Sequence, residues 1–350
     1  MMYNFFNYSK GQMAQNRLSN TSKKYTVVSM FSGCGGMDLG FSGGFEIFGQ
    51  RYPSLPFDII WANDINEAAC RTYERNLGHY SHCGSIWDVL DSMPKSADVL
   101  IGGFPCQDIS VNGKRAGVSG ARSGLYKAMV KAISNLRPKV FVAENVKGLL
   151  LKYSEESLQK VISDFKALGY EVHYQLYKAV DYGVPQARER VFIVGTSRNS
   201  NRFMPPATVR NPASYMTAKE ALNDLEKFKE SPEINHIWSR ANVSGEQGNR
   251  RLKADKPAHT MRAECHGNIQ FHYKLPRRLS MREAARLQSF PDNFIFEGGL
   301  RETERQVGNA VPPVLAWHVA KAVSESLSRN TGSPESNGKL AKKYSVLQKV

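Results

Sequence analysis

Cys106 follows a proline at the end of an apolar run, in Gly102-Gly103-Phe104-Pro105-Cys106-Gln107. An ordinary thiol, with a pKa of about 8.5, is only a few per cent thiolate at neutral pH, and nearby cations or backbone N–H groups raise that fraction. A cysteine where a strand of an open sheet runs out sits where such folds place ligands, so Cys106 reads as a nucleophile or as an inert packing residue. Glu144, in Glu144-Asn145-Val146, closes another apolar run 38 residues later. About one helix and one strand fit between the two, so both side chains can face one cleft. A carboxyl ending a buried strand is costly unless it is partnered or catalytic; capping a neighbouring helix is the plainer role. Gln186-Ala187-Arg188-Glu189-Arg190 opens a further run. Strand alternation puts Arg188 and Arg190 on one face and Glu189 on the other. Two guanidiniums on one face suit a phosphate or a carbonyl oxygen, and a solvated charge run reads equally well.

A glycine-rich loop, Phe31-Ser32-Gly33-Cys34-Gly35-Gly36, follows the first apolar run. Glycines there allow a sharp turn and close approach to a ligand. The dinucleotide fingerprint G-x-G-x-x-G needs glycine at 38, where this chain has Asp38. Asp64, at the end of the next run, still suits an adenosine ligand, with its carboxylate accepting from ribose hydroxyls.

These residues hang on an alternation of short apolar runs and helical stretches. Strands are expected at 26–31, 58–63, 98–102, 139–143, 171–179 and 190–195, and helices at 66–76, 125–136 and 156–168. The runs VVSMF, VLIGG and VFVAE are almost continuously apolar, as buried parallel strands are. The pattern predicts a doubly wound α/β sheet. After Gly195 the alternation stops. Residues 196–276 show no clear period apart from one amphipathic helix near 217–229, and nine Lys/Arg face three Asp/Glu between Asn235 and Ser280. This composition shift predicts a second, smaller domain. A helix over 280–288 opens with Ser280 and Glu283 in capping-box spacing, and Pro312-Pro313 opens a last helix to about 327. The expected division is therefore 26–195 plus 277–330 as one domain and 196–276 as the other, with basic polar tails at 1–25 and 331–350.

The chain has 350 residues, with 47 Lys+Arg against 32 Asp+Glu, a formal charge of +15. That surplus points to a polyanionic partner, because Lys and Arg displace counterions from phosphates. At 41% hydrophobic and 10% aromatic the composition is globular. No apolar run approaches the ~20 residues of a membrane span, and the N-terminus lacks a signal peptide's apolar core. Five scattered cysteines fit free thiols better than a disulfide framework. A cytoplasmic protein, acting on nucleic acid and not on membranes, is the expectation.

Seven segments in order, FSGCGGMDLGF, GGFPCQDIS, RSGLY, AENVKG, DYGVPQARERVFIVG, RRLSMREAARLQSFPDNF and QVGNAVPP, give a resemblance spanning about residues 26–325. By these the sequence resembles the cytosine-5 DNA methyltransferases. The resemblance implies a doubly wound, Rossmann-like sheet with S-adenosyl-L-methionine as cofactor and S-adenosyl-L-homocysteine as product, and a target-recognition domain at 196–276. It implies that Cys106 adds to C6 of a flipped-out cytosine, that Glu144 bonds N3 and the exocyclic amine, and that Arg190 contacts O2 with Arg188 as its companion. Phe31 would lie against the adenine region, Ser32, Gly33, Cys34, Gly35 and Gly36 around the amino-acid moiety, Asp64 at the ribose and Ile65 beside the adenine. Ser85 and Ile86, with Pro105, Leu125, Asn309 and Ala310, would line the rest; Ser85 stands where the family usually offers an aspartate to the adenine amine. DNA contacts are expected from Gln107, Ser110, Arg122, Gln247, Asn249, Arg250, Arg251 and Arg262.

The compact chain resembles a bacterial modification enzyme, for which nucleoid association and a partner endonuclease acting on the same site without stable association are plausible. The alternatives are a tRNA cytosine-5 methyltransferase, whose Cys-Phe-Thr tripeptide is absent, and a non-catalytic DNA-binding relative, which should have lost the catalytic set. Cys70, His79, His82 and Cys83 match no common zinc spacing, nor does Cys265-His266 with His259 and His272, so no metal is expected.

Overall fold

The computed structural model describes residues 24–104, 124–240, 250–263 and 270–328. Its centre is a seven-stranded sheet in the order β5-β4-β1-β6-β7-β10-β8. β1 (Tyr25–Met30) lies between β4 (Phe57–Asp64) and β6 (Val99–Gly103), and β6 continues to β7 (Val140–Val146), all parallel. β2 (Phe45–Ile47) and β3 (Gln50–Tyr52) form a separate antiparallel hairpin, and β5 (His82–Cys83) adds two residues at one edge of the main sheet, parallel to β4. At the other side β8 (Tyr170–Lys178) and β10 (Glu189–Ser197) form an antiparallel pair, with β10 inserted between β7 and β8 and opposed to both. The sheet is thus mixed, parallel except where β10 pairs. The reason is chain length: too few residues separate β8 from β10 for the helix-containing crossover that parallel neighbours require.

Alternate side chains of each strand enter two cores. Val27, Val99, Ile101, Val140, Val142, Phe192 and Val194 pack on one face with α1 (Gly36–Ser42) and α9 (Pro313–Ser328). Val28, Leu100, Phe141, Ala143, Val191 and Ile193 pack on the other with α4 (Leu125–Leu136) and α5 (Glu155–Ala167). A third core joins α6 (Ala218–Leu222), Leu252, Ala258 and Met261 to α7 (Met281–Leu287) and to Val307 on α8 (Leu300–Asn309). The boundary expected at 276/277 therefore runs through a shared core.

α6 stops well short of 229. Thr217 and Glu220 cap its start reciprocally, but Asp224 is drawn off to Arg286 at 2.6 Å and only a 3-10 turn follows. α7 carries the expected capping box between Ser280 and Glu283, and both Glu283 oxygens also take Arg277, at 2.8 and 2.9 Å.

Candidate active site

The antiparallel setting of β10 decides the site. It brings the start of that strand, Arg190, to the carboxyl end of β7, where Arg190 pairs with Val146 and Phe192 with Glu144. Arg190 and Glu144 are then diagonal neighbours on one sheet face, within reach of long side chains. Arg190 Nε stands 2.6 Å from Glu144 Oε1, with both residues buried. Burial raises the Glu144 pKa, and the Arg190 charge opposes that rise in part. The Arg190 guanidinium is lowered by the same burial, with Glu144 pulling the other way. The carboxyl is therefore held closer to its neutral, proton-donating form than an exposed glutamate.

Gly103 is the register partner of Glu144 on β6. A Cβ there would stand 2.9 Å from Glu144 Oε2, so a larger residue would push the carboxyl aside. Beside it, Asn145 donates from Nδ2 to the Phe104 carbonyl at 3.0 Å and accepts from the Val146 amide at 2.9 Å. Asn145 thereby anchors the chain two residues before Cys106. Cys106 itself, with Pro105, Gln107, Ser110 and Arg122, lies outside the described residues.

Arg188 is not placed as Arg190 is. It is fully buried between β9 (Gln186–Ala187) and β10, and donates to the carbonyls of Met261 at 2.9 Å, Gly308 at 2.7 Å and Ala310 at 2.9 Å. Five fixed donors suit this three-carbonyl clamp, in which Arg188 ties the strand to the third core. Strand alternation, the basis for expecting a matched pair, is interrupted because β9 and β10 are separate ladders that meet at this residue.

The glycine loop is built on Asp64. One carboxylate oxygen accepts from Gly33 N–H at 2.8 Å and the other from Asn66 N–H at 2.9 Å. Burial raises the Asp64 pKa, against these backbone donors. Phe31 and Gly33 both have positive φ, 53° and 55°, and Ser32 is tied to the Asn63 carbonyl through its amide and hydroxyl. At Gly35 (φ 90°) a Cβ would meet the Tyr73 ring at 3.0 Å, and Tyr73 is held by a hydrogen bond to Asp38 at 3.0 Å. The Cys34 side chain turns into the third core and faces the Gln306 carbonyl, leaving only its backbone to the loop. Ile65 is 75% exposed, Ser85 starts α3 (Ile86–Val89) without a side-chain cap bond, and Ile86 is buried. Leu125 is half-buried at the start of α4 and Asn309 is exposed. The Ala310 carbonyl is taken by Arg188 and by Gln288 Nε2 at 2.6 Å.

The profile of C-5 cytosine-specific DNA methylases matches residues 25–253 and 233–325. The Type II methyltransferase M.NgoFVII of Neisseria gonorrhoeae is 34% identical over 364 residues, covering 94% of each chain. M.FnuDI of Fusobacterium nucleatum is 34% identical over 341 residues, 86% of this chain and 95% of that one. The chain belongs to the C-5 cytosine-specific DNA methylases. Among solved structures, the Dnmt2 methyltransferase of S. pombe shares the fold, with a TM-score of 0.63 at 18% identity over 86% of this chain and 99% of that chain. EhMeth of Entamoeba histolytica does so with 0.64 at 14%, over 87% and 99%.

As a DNA cytosine-5-methyltransferase this methylase takes its methyl group from S-adenosylmethionine. The loop suits that donor: Gly33 leaves open space where a Cβ would stand, and Asp64 is a half-buried acceptor next to the exposed Ile65. Of the residues expected to contact DNA, Arg250, Arg251 and Arg262 are exposed. Arg251 is otherwise engaged, donating to the carbonyls of His272 at 2.7 Å and Leu275 at 3.0 Å. Gln247 and Asn249 lie outside the described residues.

The sequence reading did not single out two buried polar residues that tie together the segments around the third core. Gln186 donates to Leu287 O at 3.1 Å and to Gln288 Oε1 at 2.6 Å, and accepts from the Met261 amide at 3.0 Å. Arg282 donates to the carbonyls of Ile234, Pro291 and Phe294. Gln186 and Arg282 lie inside segments already singled out, and only their burial marks them. No helix among the described residues is long and apolar enough to cross a membrane.

Proposed function

We propose that this methylase modifies C5 of one cytosine within a short, specific duplex sequence, by covalent addition of Cys106 to C6 of a flipped-out base. The observation that carries this reading is the buried Glu144–Arg190 pair at 2.6 Å, at the end of the strand whose register partner, Gly103, precedes Cys106 by three residues.

Cytosine C5 is a weak nucleophile until a group adds at C6. The Cys106 thiolate forms the C6–S bond while Glu144 gives a proton toward N3, where negative charge develops, and Arg190 donates to O2. The raised Glu144 pKa supports its proton-donating role. Bound S-adenosylmethionine supplies an electrophilic methyl group at its sulfonium. Phe31, the glycine loop, Asp64, Ile65, Ser85, Ile86, Pro105, Leu125, Asn309 and Ala310 would hold it, with Cys34 serving through its backbone. A base then takes the C5 proton, the C6–S bond breaks to release the Cys106 thiolate, and return of the N3 proton to Glu144 restores the ring. Arg188 acts as a positioning residue for the strand that carries Arg190. Extrusion of the base costs a few kcal/mol, which DNA contacts by Arg250, Arg262, Gln107, Ser110 and Arg122 help to offset.

The recognition domain is assigned to 196–276, packed on α7 and α8. The Type II names of its relatives support a place in a restriction–modification system in a bacterial cytoplasm, with an endonuclease of the same specificity as a separate partner. The test is transfer of tritiated methyl from S-adenosylmethionine to unmethylated bacterial DNA, with bulk tRNA beside it. Label recovered as 5-methylcytosine in DNA supports the proposal. Label in tRNA alone would support the tRNA reading instead, and no label on either, from protein that binds the cofactor, would favour a non-catalytic DNA-binding relative.

A further inference from the structure

Cys70 and Cys83 have no part in the reaction above, yet they meet at one backbone carbonyl. Cys70, on α2 (Glu67–Leu77), is 3% exposed and donates its thiol to Asp64 O at 3.4 Å. Asp64 is the register partner of Cys83, and the next amide, Gly84 N–H, donates to the same oxygen at 2.9 Å. Cys83, whose side chain is exposed, stands level with Asp64 in the register, so the two cysteines flank the same stretch of backbone. Among the described residues no third ligand joins them in a metal-binding group. β5 is the outermost strand, held by β4 alone, and the segment leading through it turns at Gly78 (φ 70°) and Gly84 (φ 152°). One thiol is thus fixed and shielded while the other sits on a short edge element that can shift to meet it.

We infer that Cys70 and Cys83 are an intramolecular disulfide site, closed by hydrogen peroxide. The Cys83 thiolate attacks a peroxide oxygen, forming S–O and breaking O–O. Hydroxide leaves and takes up the thiol's proton as water, and Cys83 becomes a sulfenic acid. The Cys70 sulfur then attacks the Cys83 sulfur; S–S forms, S–O breaks, and the departing hydroxide takes the Cys70 proton as a second water. Two thiols lose two electrons and two protons, and one peroxide is reduced to two waters. Peroxide reaches the exposed Cys83 first, and Cys70, 3% exposed, is the resolving thiol.

Closure takes the Cys70 thiol off the Asp64 carbonyl and draws the Gly84-Ser85 turn toward α2. It therefore disturbs the corner assigned above to the cofactor's ribose and adenine; this consequence rests on that assignment. The full-length protein is treated with one equivalent of hydrogen peroxide, digested with trypsin without reductant and analysed by mass spectrometry. The expected product is a peptide pair joined through Cys70 and Cys83, two hydrogens lighter than its parts and separated by dithiothreitol. Cys70→Ser should abolish the pair and leave a sulfenic acid on Cys83 that dimedone captures. Linkage of Cys83 to another cysteine, or over-oxidised Cys83 beside a free Cys70 in the wild type, overturns the inference. In a Cys106→Ser background, where the proposed nucleophile cannot oxidise, calorimetric titration with S-adenosylmethionine reads the consequence. Oxidation should weaken binding about fivefold, the loss of roughly one hydrogen bond, and should not do so once Cys83 is also serine. Equal affinity would overturn the coupling. Failure of the reduced protein to bind would count against the cofactor assignment and leave the linked peptides standing.

Discussion

Asp38→Asn isolates one buried charge beneath the cofactor loop. Asp38 is fully buried in the first turn of α1 and accepts from the Tyr73 hydroxyl at 3.0 Å. Burial raises its pKa from 3.8 to about 6, against hydrogen bonds from Ser29 and Tyr73. The folded protein therefore keeps this proton up to about pH 6, while the unfolded chain releases it near 3.8. Between those values the folded state binds more protons, so stability falls as pH rises. A gap of about two pKa units corresponds to about 3 kcal/mol, absent in strong acid and fully present above pH ~7. Asparagine keeps an oxygen for Tyr73 and an N–H for Ser29 but cannot ionise. Urea unfolding of both proteins in steps from acid to neutral pH gives the difference in stability. Glu144, also raised by burial, cancels in that difference, and Asp64, whose charge helps to raise Asp38, cancels only in part. The variant should gain about 3 kcal/mol on the wild type, mostly between pH ~4 and ~6. A flat difference, or a variant that loses ground as pH rises, would refute the reasoning.

Glu144→Gln should lower single-turnover methyl transfer by about 10²–10⁴-fold, the usual range for a general acid, and cost about 3 kcal/mol of stability by leaving Arg190 without its counter-charge. Transfer within a few-fold of wild type would contradict the role. Arg188→Met orphans three buried carbonyls and should cost about 3–5 kcal/mol in denaturant unfolding; a neutral result would mean the clamp is replaceable. Arg250→Ala should weaken DNA binding similarly across sequences and reduce the salt slope of log K by about 1, whereas Arg251→Ala should act mainly on stability through the His272 and Leu275 carbonyls. The reverse pattern would exchange their roles.

The strands and helices that bury a simple apolar stripe were legible in the sequence. α4 spans the expected 125–136, and the Ser280/Glu283 capping box forms because its reciprocal bonds are local. Glu144 was legible as a costly carboxyl ending a buried run. The direction of β10 was open to a chain-length argument, but its insertion between β7 and β8 depends on pairing across the sheet. α8 escaped notice because Thr303, Gln306 and Gly308, rather than an apolar stripe, form much of its buried side. Arg188 read as a catalytic twin because spacing cannot tell a guanidinium facing a ligand from one facing three carbonyls. That choice is made by Met261, Gly308 and Ala310, more than 70 residues away.

Covalent attack by Cys106 is the central claim, and trapping tests it most directly. Bacterial DNA amplified with 5-fluorocytosine in place of cytosine presents every site at once, and fluorine cannot leave C5 as the proton does, so the adduct persists. Incubated with S-adenosylmethionine, wild-type protein should form a denaturant-resistant complex with this DNA whose cross-linked peptide contains Cys106, and Cys106→Ala should form none. A complex that maps to another residue, or no complex from protein that methylates ordinary DNA, would contradict the account.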